Sequence, residues 1–81
     1  MVEIHFDKNF ARIFSKLDDF MKMKIIKQIK KISENPEAGK PMKNIRKGTR
    51  ELYITPFRLS YEYIKDKNIV YMLDLYHKKK Q

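Results

Sequence analysis

The chain has 81 residues, a net charge of +9, no cysteine and two histidines far apart. That length makes one domain, residues 1–81, with a small core, and the composition excludes disulfides, thiol chemistry and a zinc site. No apolar run is long enough to span a bilayer, and the N-terminus lacks the pattern of a secretory signal. A cytoplasmic protein with no membrane, metal or cofactor is therefore expected.

Residues 1–6 alternate Val2, Ile4 and Phe6 with Glu3 and His5, which predicts a strand with one buried face. Asp7 is placed as the N-cap of a first helix, and Phe10, Ile13, Phe14 and Leu17 follow at the spacing of one helical face. Asp18 and Asp19 break that helix and cap a second. There Met21, Ile25, Ile29 and Ile32 form an apolar stripe with Ile26 beside it, while Lys24, Lys27 and Lys31 line the solvated side. Asn35-Pro36 ends the helix, because the residue before a proline avoids helical backbone. Residues 36–49 hold both glycines and two of the three prolines and are expected to form a basic loop.

Three strands complete the chain. In 50–55, Leu52 and Ile54 share one face, with Glu51, Tyr53 and Thr55 opposite. In 57–64, Phe57, Leu59, Tyr61 and Tyr63 oppose Arg58, Ser60 and Glu62. In 69–77, Tyr71, Leu73 and Leu75 oppose Met72, Asp74 and Tyr76. A one-residue slip would turn a whole apolar set into water, so the core faces must coincide and the parity of each turn is fixed. The first turn must hold an even number of residues, and since Pro56 fits poorly at the second place of a two-residue turn, a four-residue loop from Ile54 to Phe57 is expected. The second must be odd, most simply Asp66-Lys67-Asn68. The order β-α-α-β-β-β then gives an α+β domain, with two helices on one face of a small, mainly antiparallel sheet and the other face open.

On that open face the predicted register sets Tyr53, Arg58 and Tyr76 in one row, and Glu51, Ser60 and Asp74 in the next. Charge is concentrated nearby: residues 1–39 carry a net +2 and residues 40–81 a net +7. An excess of positive charge on one half suits a polyanion, nucleic acid above all. The row fits single-stranded RNA. Arg58 offers two parallel N–H donors to a phosphate, and Tyr53 or Tyr76 offers a ring on which a base can stack. Lys47, Arg50, Lys78 and Lys79 are the accompanying basic contacts. The same pattern also serves packing, as aromatic side chains abound in strands.

Metal-free cleavage of RNA needs a base for the 2′-hydroxyl, a charge to stabilise the phosphorane and an acid for the leaving oxygen. Arg58 suits the second task. His77 has an ordinary pKa suited to acid or base work, though parity puts it on the core side, across from Phe57. Glu51 is an alternative base on the correct face, one row from Arg58, and equally an ion-pair partner.

Three stretches resemble the RelE/ParE toxin family of prokaryotic type II toxin–antitoxin systems. They are Asn35-Pro36-Glu37-Ala38-Gly39-Lys40-Pro41-Met42, then Lys47 to Ile54 followed by Pro56-Phe57-Arg58-Leu59-Ser60-Tyr61, and last Leu75-Tyr76-His77-Lys78-Lys79. With the β-α-α-β-β-β layout they stand in the family's order, and the resemblance covers essentially the whole chain. The resemblance, with its RelE-like branch favoured, implies a toxin that cuts messenger RNA on the ribosome and is neutralised by an acidic, RelB-like antitoxin. It matches Arg58 to the arginine that stabilises the transition state, and His77 and Lys78 to a segment that supplies acid or charge. ParE-like members share the fold and act on DNA gyrase, and a non-toxic RNA-binding domain is a third possibility. Two departures stand out. The best-known nucleases have paired lysines where this chain has Glu51 and Tyr53, and their catalytic tyrosine on a C-terminal extension has no counterpart before Gln81.

Overall fold

The computed structural model describes residues 2–43 and 48–77. In chain order the elements are β1 (Glu3–Phe6), α1 (Lys8–Ser15), α2 (Asp19–Glu34), β2 (Lys40–Pro41), β3 (Arg50–Ile54), β4 (Phe57–Ile64) and β5 (Ile69–His77). Both helices begin where the sequence places their caps. The Asp7 carboxylate accepts the Asn9 amide at 2.9 Å, and the Asp18 carboxylate accepts the Met21 amide at 2.8 Å. Each satisfies a backbone donor that the first helical turn would leave without a partner.

The five strands form one sheet in the order β1-β5-β4-β3-β2. Its strand pairs are antiparallel except β1 with β5, which run parallel. The basic loop expected over 36–49 contains a short edge strand, β2, held by Lys40 against Glu51 and Pro41 against Arg50. Phe10 from α1, Ile25 and Ile32 from α2, and Ile54, Leu59, Tyr61, Val70, Met72 and Leu75 from the sheet make the core. Ile26 stands beside the buried stripe of α2, as expected, and is exposed. Phe6 does not share the partial burial of Val2 and Ile4: it is 54% exposed at the end of β1, where its ring stacks on Phe10 at 5.7 Å.

The predicted register holds through the centre of the sheet. Leu52 pairs with Leu59, Tyr53 with Arg58, Arg58 with Tyr76, Leu59 with Leu75 and Ser60 with Asp74. Both turns differ from expectation. Ile54 pairs directly with Phe57, so the first loop is the two residues Thr55-Pro56, with the Thr55-Pro56 peptide cis. A cis peptide is the geometry in which a tight turn accepts proline at its third position. The second loop has four residues, not three. Lys65–Lys67 form a 3-10 turn, and Asn68 closes it at φ 56°, a left-handed conformation that asparagine tolerates.

That extra residue is offset within the sheet. Ile64 pairs with Ile69 and Tyr61 with Met72, after which the register shifts at Ser60/Tyr61 and Leu73 becomes the unpaired residue of a bulge. The outer half of β5 is thereby reversed. Val70 and Met72 are fully buried and Tyr71 is exposed, where simple alternation put Tyr71 and Leu73 inward and Met72 outward. Beyond the bulge Leu75 faces the core as predicted.

Candidate nucleic-acid interface

Tyr53, Arg58 and Tyr76 lie on three adjacent strands, about 4.8 Å apart in the pairing direction. The residue that joins two of them comes from the next row. Glu51 is 5% exposed, and its two carboxylate oxygens are divided between neighbours. Oε1 accepts from Arg58 Nη1 at 3.3 Å, and Oε2 accepts from the Tyr76 hydroxyl. Burying a carboxylate is unfavourable unless charge and hydrogen bonds compensate, and here a cation and a hydroxyl supply both. Ser60, the cross-strand neighbour of Glu51, adds nothing to this: its Oγ is buried with no partner among the described residues.

Arg58 keeps 30% of its side chain exposed. Beside it a cleft of about 270 Å³ is lined by Lys40, Met42, Glu51, Leu52, Tyr53 and Arg58. An adjoining hollow adds Pro41 and Lys43 to Lys40, Met42 and Arg58. Tyr53, at 53% exposed, presents its ring at this border. A guanidinium held on one side, two nearby ammonium groups and an accessible aromatic ring make a surface that can bind a phosphate and stack a base.

The loop that brings Lys40 and Met42 to the cleft is fixed from below. The buried Tyr61 hydroxyl donates to Pro36 O at 2.8 Å and accepts the Gly39 amide at 2.8 Å. Arg50 Nη1 donates to Gly39 O at 2.9 Å and Glu37 O at 3.2 Å. Gly39 is required here for close approach, because a Cβ would stand 2.7 Å from the Tyr61 hydroxyl and 3.1 Å from Glu51 O. Burial pushes the Tyr61 hydroxyl above the ordinary value of 10.0, a shift reduced by the Gly39 amide and the Arg50 charge.

The sequence-predicted residues thus divide. Tyr53, Arg58 and Tyr76 are brought together. Arg50 is committed to the loop carbonyls rather than to the open face. His77 pairs with Phe57, and the two rings meet edge-on at 5.8 Å, on the opposite side of β5 from Tyr76. Lys47, Lys78 and Lys79 lie outside the described residues. Sequence reasoning placed Glu51 beside the row and left it as a possible base or ion-pair partner. Its central position followed from a signal already present, an acid one row from Arg58 on the open face of a strongly basic chain.

Residues 4–81 match the family described as the ParE toxin of the type II toxin–antitoxin system parDE. No curated protein sequence matches the chain. Among solved structures, the toxin–antitoxin complex RelBE2 of Mycobacterium tuberculosis contains a chain 22% identical, with a TM-score of 0.84 over 95% of this chain and 98% of that one. The intact RelBE complex of E. coli contains one 17% identical, with a TM-score of 0.81 over 93% and 94%. The RelE–RelB complex of Pyrococcus horikoshii contains one 12% identical, with a TM-score of 0.80 over 99% and 98%. At these identities the likeness is one of fold, and it extends over nearly the full length of each partner.

Proposed function

The chain belongs to the ParE toxin family of type II toxin–antitoxin systems, and from that premise we propose that it stops translation by cutting messenger RNA on the ribosome, restrained by an acidic antitoxin. The observation that carries this reading is Arg58, held by Glu51 on the open face of the sheet above a cleft edged by Lys40 and Tyr53. In the proposed reaction Arg58 binds the scissile phosphate and stabilises the charge that builds on it. Tyr53 stacks on an adjacent base. Lys40 and Lys43 hold the flanking backbone. The 2′-hydroxyl gives its proton to water and attacks the adjacent 3′-phosphate, a 2′,3′-cyclic phosphate forms as the bond to the 5′-oxygen of the next nucleotide breaks, and that oxygen takes a proton from water. His77, the candidate read from the sequence for proton transfer, is not brought to the row. Its ring on the far side of β5 makes charge stabilisation by Arg58 the larger part of the proposed rate.

A reconstituted translation reaction tests this directly. Purified protein is added to ribosomes carrying a defined message, and the ends produced are mapped by primer extension. Cuts that need the ribosome support the proposal, and a message left intact by protein that arrests growth when induced in cells refutes it. The match to the ParE toxin family supports a second reading, the action on DNA gyrase that the sequence resemblance implies for ParE-like members. Inhibited supercoiling by purified gyrase, with message left intact, would assign the protein to that branch.

A further inference from the structure

We propose that Glu51 is a positioning residue, one that holds Arg58 and Tyr76 as a single preorganised unit and takes no proton during the reaction. This rests on the nuclease reading of the same site. A carboxylate is at first sight misplaced here, since its charge repels a polyanion. Its burial answers the difficulty. With Glu51 almost fully covered, its charge sits beneath the guanidinium rather than in the path of the RNA. Arg58 needs such an anchor. Its Nε is buried with no partner among the described residues, so Nη1 on Glu51 is the contact that orients the planar group. A long side chain on an open sheet face otherwise samples several rotamers, and each must be abandoned before a phosphate can be held at two points.

Glu51 is equally dependent on its partners. With Ser60 contributing nothing, its oxygens rely on Arg58 and on Tyr76. The three side chains come from three adjacent strands, so the unit forms only when β3, β4 and β5 are in register. A base, by contrast, must be reachable by the 2′-hydroxyl, and both Glu51 oxygens are already engaged.

The test compares Glu51→Gln, Arg58→Ala and the double variant in single-turnover cleavage on programmed ribosomes across pH. Glutamine keeps the shape and still accepts from Tyr76, while the ionic anchor of Arg58 is lost. Glu51→Gln is expected to lower the rate about tenfold to hundredfold, the scale of a misplaced catalytic group, without changing the shape of the pH profile. In the Arg58→Ala background the same substitution should cost almost nothing further, because Glu51 acts through Arg58. An equal loss in both backgrounds overturns the proposal, and so does disappearance of one limb of the profile, which would make Glu51 the base. A readout independent of cleavage separates this from failure of the nuclease reading. NMR relaxation of the Arg58 Nε–H should show an ordered guanidinium in the wild type and a mobile one in Glu51→Gln. Equal order in both sinks the positioning role whether or not RNA is cut.

Discussion

Replacing Arg58 by alanine removes the guanidinium on the open face and leaves the buried Glu51 carboxylate without its cation, so it should lower stability as well as activity while the core packing that sets the fold stays in place. Loss of a donor that stabilises developing charge costs on the order of a hundredfold or more in rate. Arg58→Ala is therefore expected to abolish growth arrest on induction while its circular dichroism spectrum stays that of the wild type. A folded variant that still arrests growth would remove Arg58 from the mechanism. His77 offers the contrasting case. Its ring packs edge-on against Phe57, away from the Tyr53–Arg58–Tyr76 row. His77→Gln should lower the melting temperature and leave cleavage within about tenfold of the wild type. A general acid or base is worth about a hundredfold or more, so a loss of that size with a flattened pH–rate profile would assign the proton transfer to His77.

The elements were legible in proportion to how strictly a pattern constrains them. Asp7 and Asp18 cap as read because an acidic side chain before an apolar helical stripe has one economical use. The central register was legible because Leu52, Leu59 and Leu75 must share a face. The bulge at Leu73 was not. A four-residue turn and one inserted residue each change parity, and together they restore it at Arg58 and Tyr76. Alternation in Ile-Val-Tyr-Met-Leu-Asp-Leu could not expose the pair of changes, since Met72 and Leu73 are both apolar and either can face inward. The short strand β2 was unreadable for another reason: two residues carry no period, and the contacts that hold the loop come from Tyr61 and Arg50, far away in sequence. Tyr61→Phe tests that anchorage. It leaves the Gly39 amide and Pro36 carbonyl without their partner and should cost about 1–3 kcal/mol of unfolding free energy, measured by urea denaturation. It should also alter alkaline behaviour. The folded-state pKa of Tyr61 is raised, so its contribution to stability is complete below the ordinary value of 10.0 and is lost as pH rises through the higher folded value. Above that ordinary value wild-type stability should fall more steeply than that of Tyr61→Phe, and parallel curves would show that the hydroxyl does not titrate with unfolding.

The whole molecule carries its charge unevenly, with a net +7 in residues 40–81. A partner that restrains it by covering this half gains most from a long acidic segment. Such a segment is too charged and too poor in apolar residues to fold alone, and it orders on contact. The proposed antitoxin is thus expected to gain helicity when titrated with the purified toxin, followed by far-ultraviolet circular dichroism. Tight binding with no gain in helicity would mean that the antitoxin arrives already folded. Sheet order adds a constraint of another kind. β5 lies between β1 and β4 although it is the last strand in sequence among the described residues. As the polypeptide is made from its N-terminus, β1 has no neighbour in the sheet, and Leu59 and Tyr61 have β3 beside them but not β5, until Ile69–His77 emerges. Tyr76 joins Arg58 in the same event that closes the core. A nascent chain therefore holds no assembled Glu51–Arg58–Tyr76 unit, and the proposed activity is expected only after Ile69–His77 has left the ribosome.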